Sequence, residues 1–234
     1  MSILGKLVAI WRYPVKSMAA EPLDEVELSW HGLAGDRRWA FVQEDIPRSG
    51  FPWLTIRERT DMAHHVPRFA DPSRPDTSRT LVTTPGGDEY DVVDAALAEA
   101  LGGGVRVIKQ NRGVFDAMPL SLITTQTVEH VAARVGLGLG PERFRPNLVV
   151  EAEGGEPFAE EEWIGATLRI GGAAMRLDQR DSRCVVVNVD PATLERNPAV
   201  LRTIAQERGS CLGVYGSTVR PGRVAVGDPV ELAS

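Results

Sequence analysis

The sequence is short of cysteine, with two thiols, Cys184 and Cys211, in 234 residues. Two are too few for an iron–sulfur cluster held by four thiolates. In a chain that opens without a secretory signal they read as reduced residues of a cytoplasmic protein, not as a disulfide framework. Long apolar runs are missing as well. Nowhere do eighteen uncharged apolar residues follow one another, which excludes a membrane-spanning helix on length. The opening stretch Met1 to Pro14 lacks the basic start, apolar centre and small-residue cleavage site of a leader. Positive charge is in deficit: 26 Lys and Arg against 32 Asp and Glu give a net charge of −6. That balance argues against a nucleic-acid partner, so any anion site must be local. Neither a dinucleotide glycine pattern nor a P-loop follows a strand, and Gly136-x-Gly138 comes after a helix, the wrong context. The pair His64-His65 gives little support to zinc, because adjacent histidines on a strand point to opposite faces and no Cys/His pattern surrounds them.

What is present is an ordinary globular composition, 43% hydrophobic and 25% charged, in a chain long enough to bury roughly 70–75% of its unfolded surface. Short β-rich runs recur at hairpin spacing: Lys6 to Trp11, Pro22 to Trp30, Arg37 to Val42, Trp53 to Arg59, Thr80 to Thr84, Glu89 to Val93 and Val105 to Lys109. Further runs are Leu120 to Thr124, Leu148 to Val150, Thr167 to Leu177, Gly209 to Val219 and Arg223 to Leu232. Helical spacing is confined to Ala95–Leu101 behind Asp94, to the stretch from Thr125 or Thr127 to Gly136, and to a short helix before Ala205. Gln43 to Pro52 and Phe69 to Arg79 read as loops, and the acidic run Glu151 to Glu162 as a solvated one. The pattern is mainly β (α+β), a barrel or barrel-like sheet. Gly102-Gly103-Gly104 marks the softest boundary, dividing the chain into residues 1–104 and 105–234.

Four stretches carry candidate chemistry. Lys16-Ser17 follows a proline-ended strand, where a cation and a hydroxyl can hold an oxyanion, although a solvated lysine has the same appearance. Arg37-Arg38 enters a strand behind a glycine-rich turn and can face a ligand or pair with Asp36 and Glu44. Arg143, Arg145 and Asn147 stand at the start of the apolar strand Leu148 to Val150. Asp181-Ser182-Arg183-Cys184 puts a thiol beside a cation, at the mouth of the run Val185-Val186-Val187. Alone, this last stretch reads first as a buried small thiol next to a surface charge, since free cysteine is among the most buried residue types. Read as a site, the adjacent cation stabilises a thiolate.

Taken in order, Tyr13-Pro14-Val15-Lys16-Ser17, Gly35-Asp36-Arg37-Arg38-Trp39, Phe144-Arg145-Pro146-Asn147, Ser182-Arg183-Cys184 with Asp190-Pro191, and Val226-Gly227-Asp228-Pro229-Val230 resemble the MOSC (molybdenum cofactor sulfurase C-terminal) family. The resemblance includes the N-terminal β-barrel domain of that family and extends to the mitochondrial amidoxime-reducing component and its bacterial counterparts. It implies a MOSC β-barrel behind a smaller N-terminal β domain. It implies a molybdenum cofactor (Mo-molybdopterin) whose metal is held by Cys184, with Lys16, Ser17, Arg37, Arg145, Asn147, Ser182 and Arg183 on its phosphate and pterin. The implied activity is reduction of N-hydroxylated or N-oxygenated small molecules, with electrons from a separate flavin or iron–sulfur protein. The separate donor is expected because the chain ends at Ser234 without the ferredoxin domain of some relatives. A carrier of sulfur, as a persulfide on Cys184, or of the cofactor itself is the alternative. The chain departs from the family at Ala117-Met118, where relatives have two hydroxyl residues before the proline, and Ser121 or Thr124 is then the substitute.

Overall fold

A computed structural model describes residues 2–45 and 51–233. The strands are β1 (Ile3–Arg12), β2 (Glu21–Leu23), β3 (Glu25–Ser29), β4 (Gly32–Leu33), β5 (Trp39–Gln43), β6 (Val66–Phe69), β7 (Thr80–Thr83), β8 (Glu89–Asp91), β9 (Val105–Lys109), β10 (Leu120–Thr124), β11 (Leu148–Ala152), β12 (Thr167–Ile170), β13 (Ala173–Ser182), β14 (Cys211–Arg220), β15 (Gly222–Ala225) and β16 (Pro229–Leu232). The helices are α1 (Ala95–Ala100), α2 (Thr125–Val135), α3 (Ala159–Glu162) and α4 (Ala199–Arg208).

Seven strands close a barrel in the order β1-β11-β10-β14-β13-β12-β16 and back to β1. The joints are antiparallel except β10 with β11, which is parallel and bridged by α2. Such a connection needs a crossover, and the helix supplies it. Alternate residues point inward: Leu7 and Ile10, Leu120 and Leu122, Leu148 and Val150, Leu168 and Ile170, Met175 and Leu177, Val214 and Val230 fill the interior. A barrel this narrow is packed solid by its own side chains, so a ligand must lie at its rim. The opposite side of β10 and β11 is also covered, because Ile123 and Val149 meet Val128 and Val131 of α2 and Val200 and Ile204 of α4.

The N-terminal residues form smaller sheets around their own core, with Val15, Phe41, Met62, Val82 and Leu97 at its centre. The division after Gly104 does not separate the sheets. β1 is a stave of the barrel, bonded to β11 and β16, and β9 lies beyond Gly104 yet pairs with β5.

Three local expectations are corrected. Trp53 to Arg59 is not a strand: Glu58 Oε2 accepts from the Thr55 backbone N at 3.0 Å and from Thr55 Oγ1 at 2.6 Å, curling the segment into a turn. The acidic run ends in the single-turn helix α3, whose Glu160 is fully buried. His64 and His65 lie at a short 3-10 helix, residues 60–64, instead of on a strand. The loop expected from Gln43 to Pro52 falls partly outside the described residues.

Candidate functional site

A cleft with about 820 Å³ of space between protein atoms, part of it open to solvent, lies where the barrel rim meets the N-terminal sheets. Lys16, Ser17, Arg37, Arg145, Asn147, Ser182, Arg183 and Cys184 all line it. Residues from the first loop of the chain to the end of β13 therefore converge on one space.

The N-terminal wall is built by irregular backbone. Tyr13 follows β1, and its backbone N donates to Oδ1 of the buried Asp36 at 2.7 Å. Arg37 donates from Nη1 to Asp36 Oδ2 at 2.5 Å and from Nη2 to the Arg145 carbonyl at 3.1 Å. Two guanidiniums stack on the Tyr13 ring, Arg37 at 4.4 Å and Arg145 at 4.2 Å from its centroid. Burial pushes the Tyr13 hydroxyl up to about 12, so it stays protonated and donates to the Pro146 carbonyl at 3.1 Å. Ser17, Arg37 and Arg145 have left-handed φ of 67°, 49° and 53°. Non-glycine residues in that region are strained and cluster at functional sites.

The barrel wall is built by strand ends. Asn147 precedes β11 and ties three strands: its Oδ1 accepts from the Ser121 backbone N at 3.2 Å and its Nδ2 donates to the Trp11 carbonyl at 3.2 Å. Arg183 is held by Nε to the Leu212 carbonyl at 2.8 Å and by Nη1 to the Phe144 carbonyl at 2.6 Å. Its Nη2 lies 2.9 Å from Asp181 Oδ2, an ion pair by distance although the N–H is not aimed along a hydrogen-bond line. Cys184 is half-buried and heads a 3-10 helix over Val185–Asn188, so the β-branched run coils where it would otherwise extend. Arg143 pins that helix by donating to the Val187 and Asn188 carbonyls, both at 3.4 Å, and to the Asp190 carboxylate. Asp190 in turn caps the following turn, accepting from the Ala192 and Thr193 backbone N–H groups.

Cys211 faces elsewhere. It pairs across β13–β14 with Ser182, lies 3.8 Å from the Gly209 carbonyl, and does not line the cleft. Of the two hydroxyl residues offered in place of Ala117-Met118, Ser121 lines the cleft and donates to Asp181 Oδ2 at 3.0 Å. Thr124 does not line it; its Oγ1 caps α2 and donates to the buried Glu160.

Two lining arginines, Arg57 and Arg143, lie outside the set that the resemblance assigns to the cofactor. Arg57 Nη2 donates to Cys184 Sγ at 3.2 Å, across 127 residues of chain. The available signal was Thr55-x-x-Glu58, a capping-box pattern that forms a turn where alternation suggested a strand. Arg143, legible as a cation at the mouth of β11, holds the backbone after Cys184.

Electrostatically the cleft is a cation cluster in an acidic protein. Six cations, Lys16, Arg37, Arg57, Arg143, Arg145 and Arg183, face two lining carboxylates, Asp116 and Asp181. Burial, together with Arg37 and Arg145, pulls the Lys16 ammonium below its ordinary value in spite of its 2.5 Å contact with Asp116. Burial alone would raise Asp116, but Lys16, Arg57 and Arg37 together take it down. Burial raises Asp181 against the pull of Arg183. Arg145 is pushed down to about 10, by burial first and Arg37 next, and its Nη2 is buried without a hydrogen-bond partner. A buried N–H without a partner costs stability until an acceptor meets it. Among the described residues no group of His, Cys, Asp and Glu could hold a bare metal ion. The donor set of one thiol, several cations and hydroxyls instead fits an anionic organic group that carries a soft metal. No helix of the described residues is long and apolar enough to cross a membrane.

Comparison with known proteins places these features. The model of the MOSC domain matches residues 109–231, and that of the MOSC N-terminal beta barrel domain matches residues 4–112. Molybdenum cofactor sulfurase from Drosophila grimshawi is 28% identical over 275 aligned positions, which cover 97% of this chain and 34% of that protein. Mitochondrial amidoxime reducing component 2 from Homo sapiens is 26% identical over 284 positions, covering 97% of this chain and 83% of that one. This chain thus spans about a third of the sulfurases it matches, 34% and 31% for two Drosophila examples. The YUAD protein of Bacillus subtilis shares the fold, with a TM-score of 0.56 at 15% identity over 98% of this chain and 96% of that chain.

Proposed function

The chain belongs to the MOSC family, and on that footing we propose that it binds a molybdenum cofactor in the cationic cleft and reduces N-hydroxylated or N-oxygenated small molecules. Its electrons come from a separate flavin or iron–sulfur protein. Cys184 Sγ would hold the metal. Lys16, Ser17, Arg37, Arg145, Asn147, Ser182 and Arg183 would hold the phosphate and pterin. When bound, the cofactor would supply the two-electron chemistry: an N–O bond breaks and the oxygen leaves as water, consuming two protons, with an N–H bond formed where the substrate is N-hydroxylated.

The protein contributes position and charge. Arg145 offers an unsatisfied buried donor, preorganised by its stack on Tyr13 and by a strained backbone. Arg183 is locked by two carbonyls and so presents its charge in one orientation. Lys16 shares its ammonium with Asp116, which is half exposed and can yield it to a phosphate. Arg143 fixes the backbone that carries Cys184.

The observation that carries this reading is the meeting of a cleft-facing thiol and an unsatisfied buried arginine in one cation-lined space. Metal analysis of freshly purified protein tests it. The wild type and Cys211→Ser should carry molybdenum, and Cys184→Ser should lose nearly all of it. Equal retention in both variants would overturn the metal assignment. Metal-free wild type with a persulfide on Cys184 would favour sulfur transfer, consistent with the likeness to the sulfurases.

A further inference from the structure

Four of the six cleft cations already have a carboxylate: Lys16 has Asp116, Arg37 has Asp36, Arg143 has Asp190 and Arg183 has Asp181. Among the described residues, Arg145 and Arg57 are in ion-pair contact with none. They differ in place. Arg145 stacks on Tyr13, and its carbonyl accepts from Arg37, within the group matched to phosphate and pterin. Arg57 lies at Cys184 Sγ, at 3.2 Å, and belongs to no residue set discussed above for the cofactor.

Arg57 is also held in place. Its backbone N donates to Thr55 Oγ1 at 3.3 Å, its carbonyl accepts from Arg196 Nη2 at 3.3 Å, and its guanidinium stacks at 4.7 Å on the Phe51 ring. A half-buried, preorganised guanidinium with one N–H on the sulfur has further donors for whatever arrives beside that sulfur.

Resting on the function proposed above, we infer that Arg57 is a specificity-determining residue that binds the reacting oxygen of the substrate. It thereby selects N-oxygenated substrates whose oxygen side is anionic or strongly accepting, such as hydroxamates, over cationic ones such as protonated N-hydroxyguanidines. Reduction of a hydroxamate breaks its N–O bond, forms an N–H bond and releases water, with two electrons from the donor protein and, from solvent, two protons for the neutral acid or three for its anion. A charge-assisted hydrogen bond to the oxygen favours the anion, and the same fixed cation repels a positive substrate.

The test uses holoprotein with Arg57→Gln and Arg57→Lys. Benzohydroxamate is titrated without electron donor, so that binding is read by tryptophan fluorescence and no turnover occurs. Affinity should fall about tenfold or more in Arg57→Gln and recover partly in Arg57→Lys, with molybdenum content unchanged. With donor present, KM for benzohydroxamate should rise in Arg57→Gln while KM for a size-matched N-hydroxyguanidine stays level or falls. Three results would overturn the inference: hydroxamate affinity independent of residue 57; lost molybdenum, which would make Arg57 a cofactor ligand; or equal weakening toward both substrates with a lower melting temperature, which would make it structural. Wild type without molybdenum sinks the function and this inference together, whereas loaded wild type with Arg57-independent binding sinks the inference alone.

Discussion

The two walls of the cleft are made by different means. The barrel wall hangs Asn147, Asp181, Ser182, Arg183 and Cys184 on the ends of β11 and β13, where ladder bonds fix the backbone. The N-terminal wall delivers Lys16, Ser17, Arg37 and Arg57 from turns, two of them at left-handed φ, and holds them by side-chain bonds to buried polar groups. Side chains on strand ends are positioned by the whole sheet. Those on turns depend on a few local contacts and are correspondingly easier to displace. What joins the walls is β1, which begins as a barrel stave and leads into Tyr13, whose ring meets both Arg37 and Arg145.

The largest expected effects ask whether the walls are one folding unit. Leu122 is fully buried in the barrel and Phe41 nearly so in the N-terminal core. Leu122→Ala should cost about 2–5 kcal/mol and Phe41→Ala about 3–5 kcal/mol by lost burial and the cavity left behind. Because β1 and β9 cross between the sheets, each variant should still unfold in a single thermal transition. An early, separate transition in Phe41→Ala would break the comparison and make the N-terminal wall an independent body.

A smaller pair sharpens it. Arg37→Ala leaves the fully buried Asp36 carboxylate without its cation, a loss of about 3–5 kcal/mol. Arg145→Ala removes a buried cation that has no carboxylate, giving up a stack on Tyr13 but also a desolvation penalty. Its stability should stay within about 1 kcal/mol of wild type. Urea unfolding of metal-free protein reads the first quantity and molybdenum content the second, and both variants should lose cofactor. A large stability loss in Arg145→Ala with full occupancy would make Arg145 structural.

This asymmetry also explains how much could be read from the sequence. The barrel strands were legible because inward positions alternate, as in Leu120 and Leu122 or Leu148 and Val150, and the Thr124 cap and αL Gly136 bracket α2 as local chemistry requires. The eight candidate residues were legible through the family resemblance, and the cleft gathers them. Arg57 was not, because its contact with Cys184 spans 127 residues and its turn is set by a Thr55–Glu58 bond that competes with an equally good strand pattern. Closure of the barrel by β1 was hidden for the same reason: pairing of β1 with β11 and β16 is non-local, and no window of sequence contains it. Nor does composition separate Glu160 from its acidic neighbours, since burial depends on where α3 lands.

Glu160 gives the smallest expected effect, behind the barrel wall. Its carboxylate has no cation partner among the described residues. It accepts from Thr124 Oγ1 at 2.8 Å and Thr127 Oγ1 at 2.9 Å, yet burial outweighs these donors and raises its pKa above the ordinary glutamate value. The folded state therefore holds the proton more tightly than the unfolded chain. Stability is greatest while the group is protonated in both states and declines as pH rises from the ordinary glutamate range through the raised folded value. Glu160→Gln lacks that decline and keeps an acceptor for one threonine. Its melting temperature relative to wild type should therefore be higher at pH 8 than at pH 4.5, by roughly 2–4 °C for each kcal/mol removed. Thermal melts at the two pH values measure the difference. If the gap vanished or reversed, the threonine donors would be holding the carboxylate better than water does, and the back of the barrel would be organised around a stabilised charge.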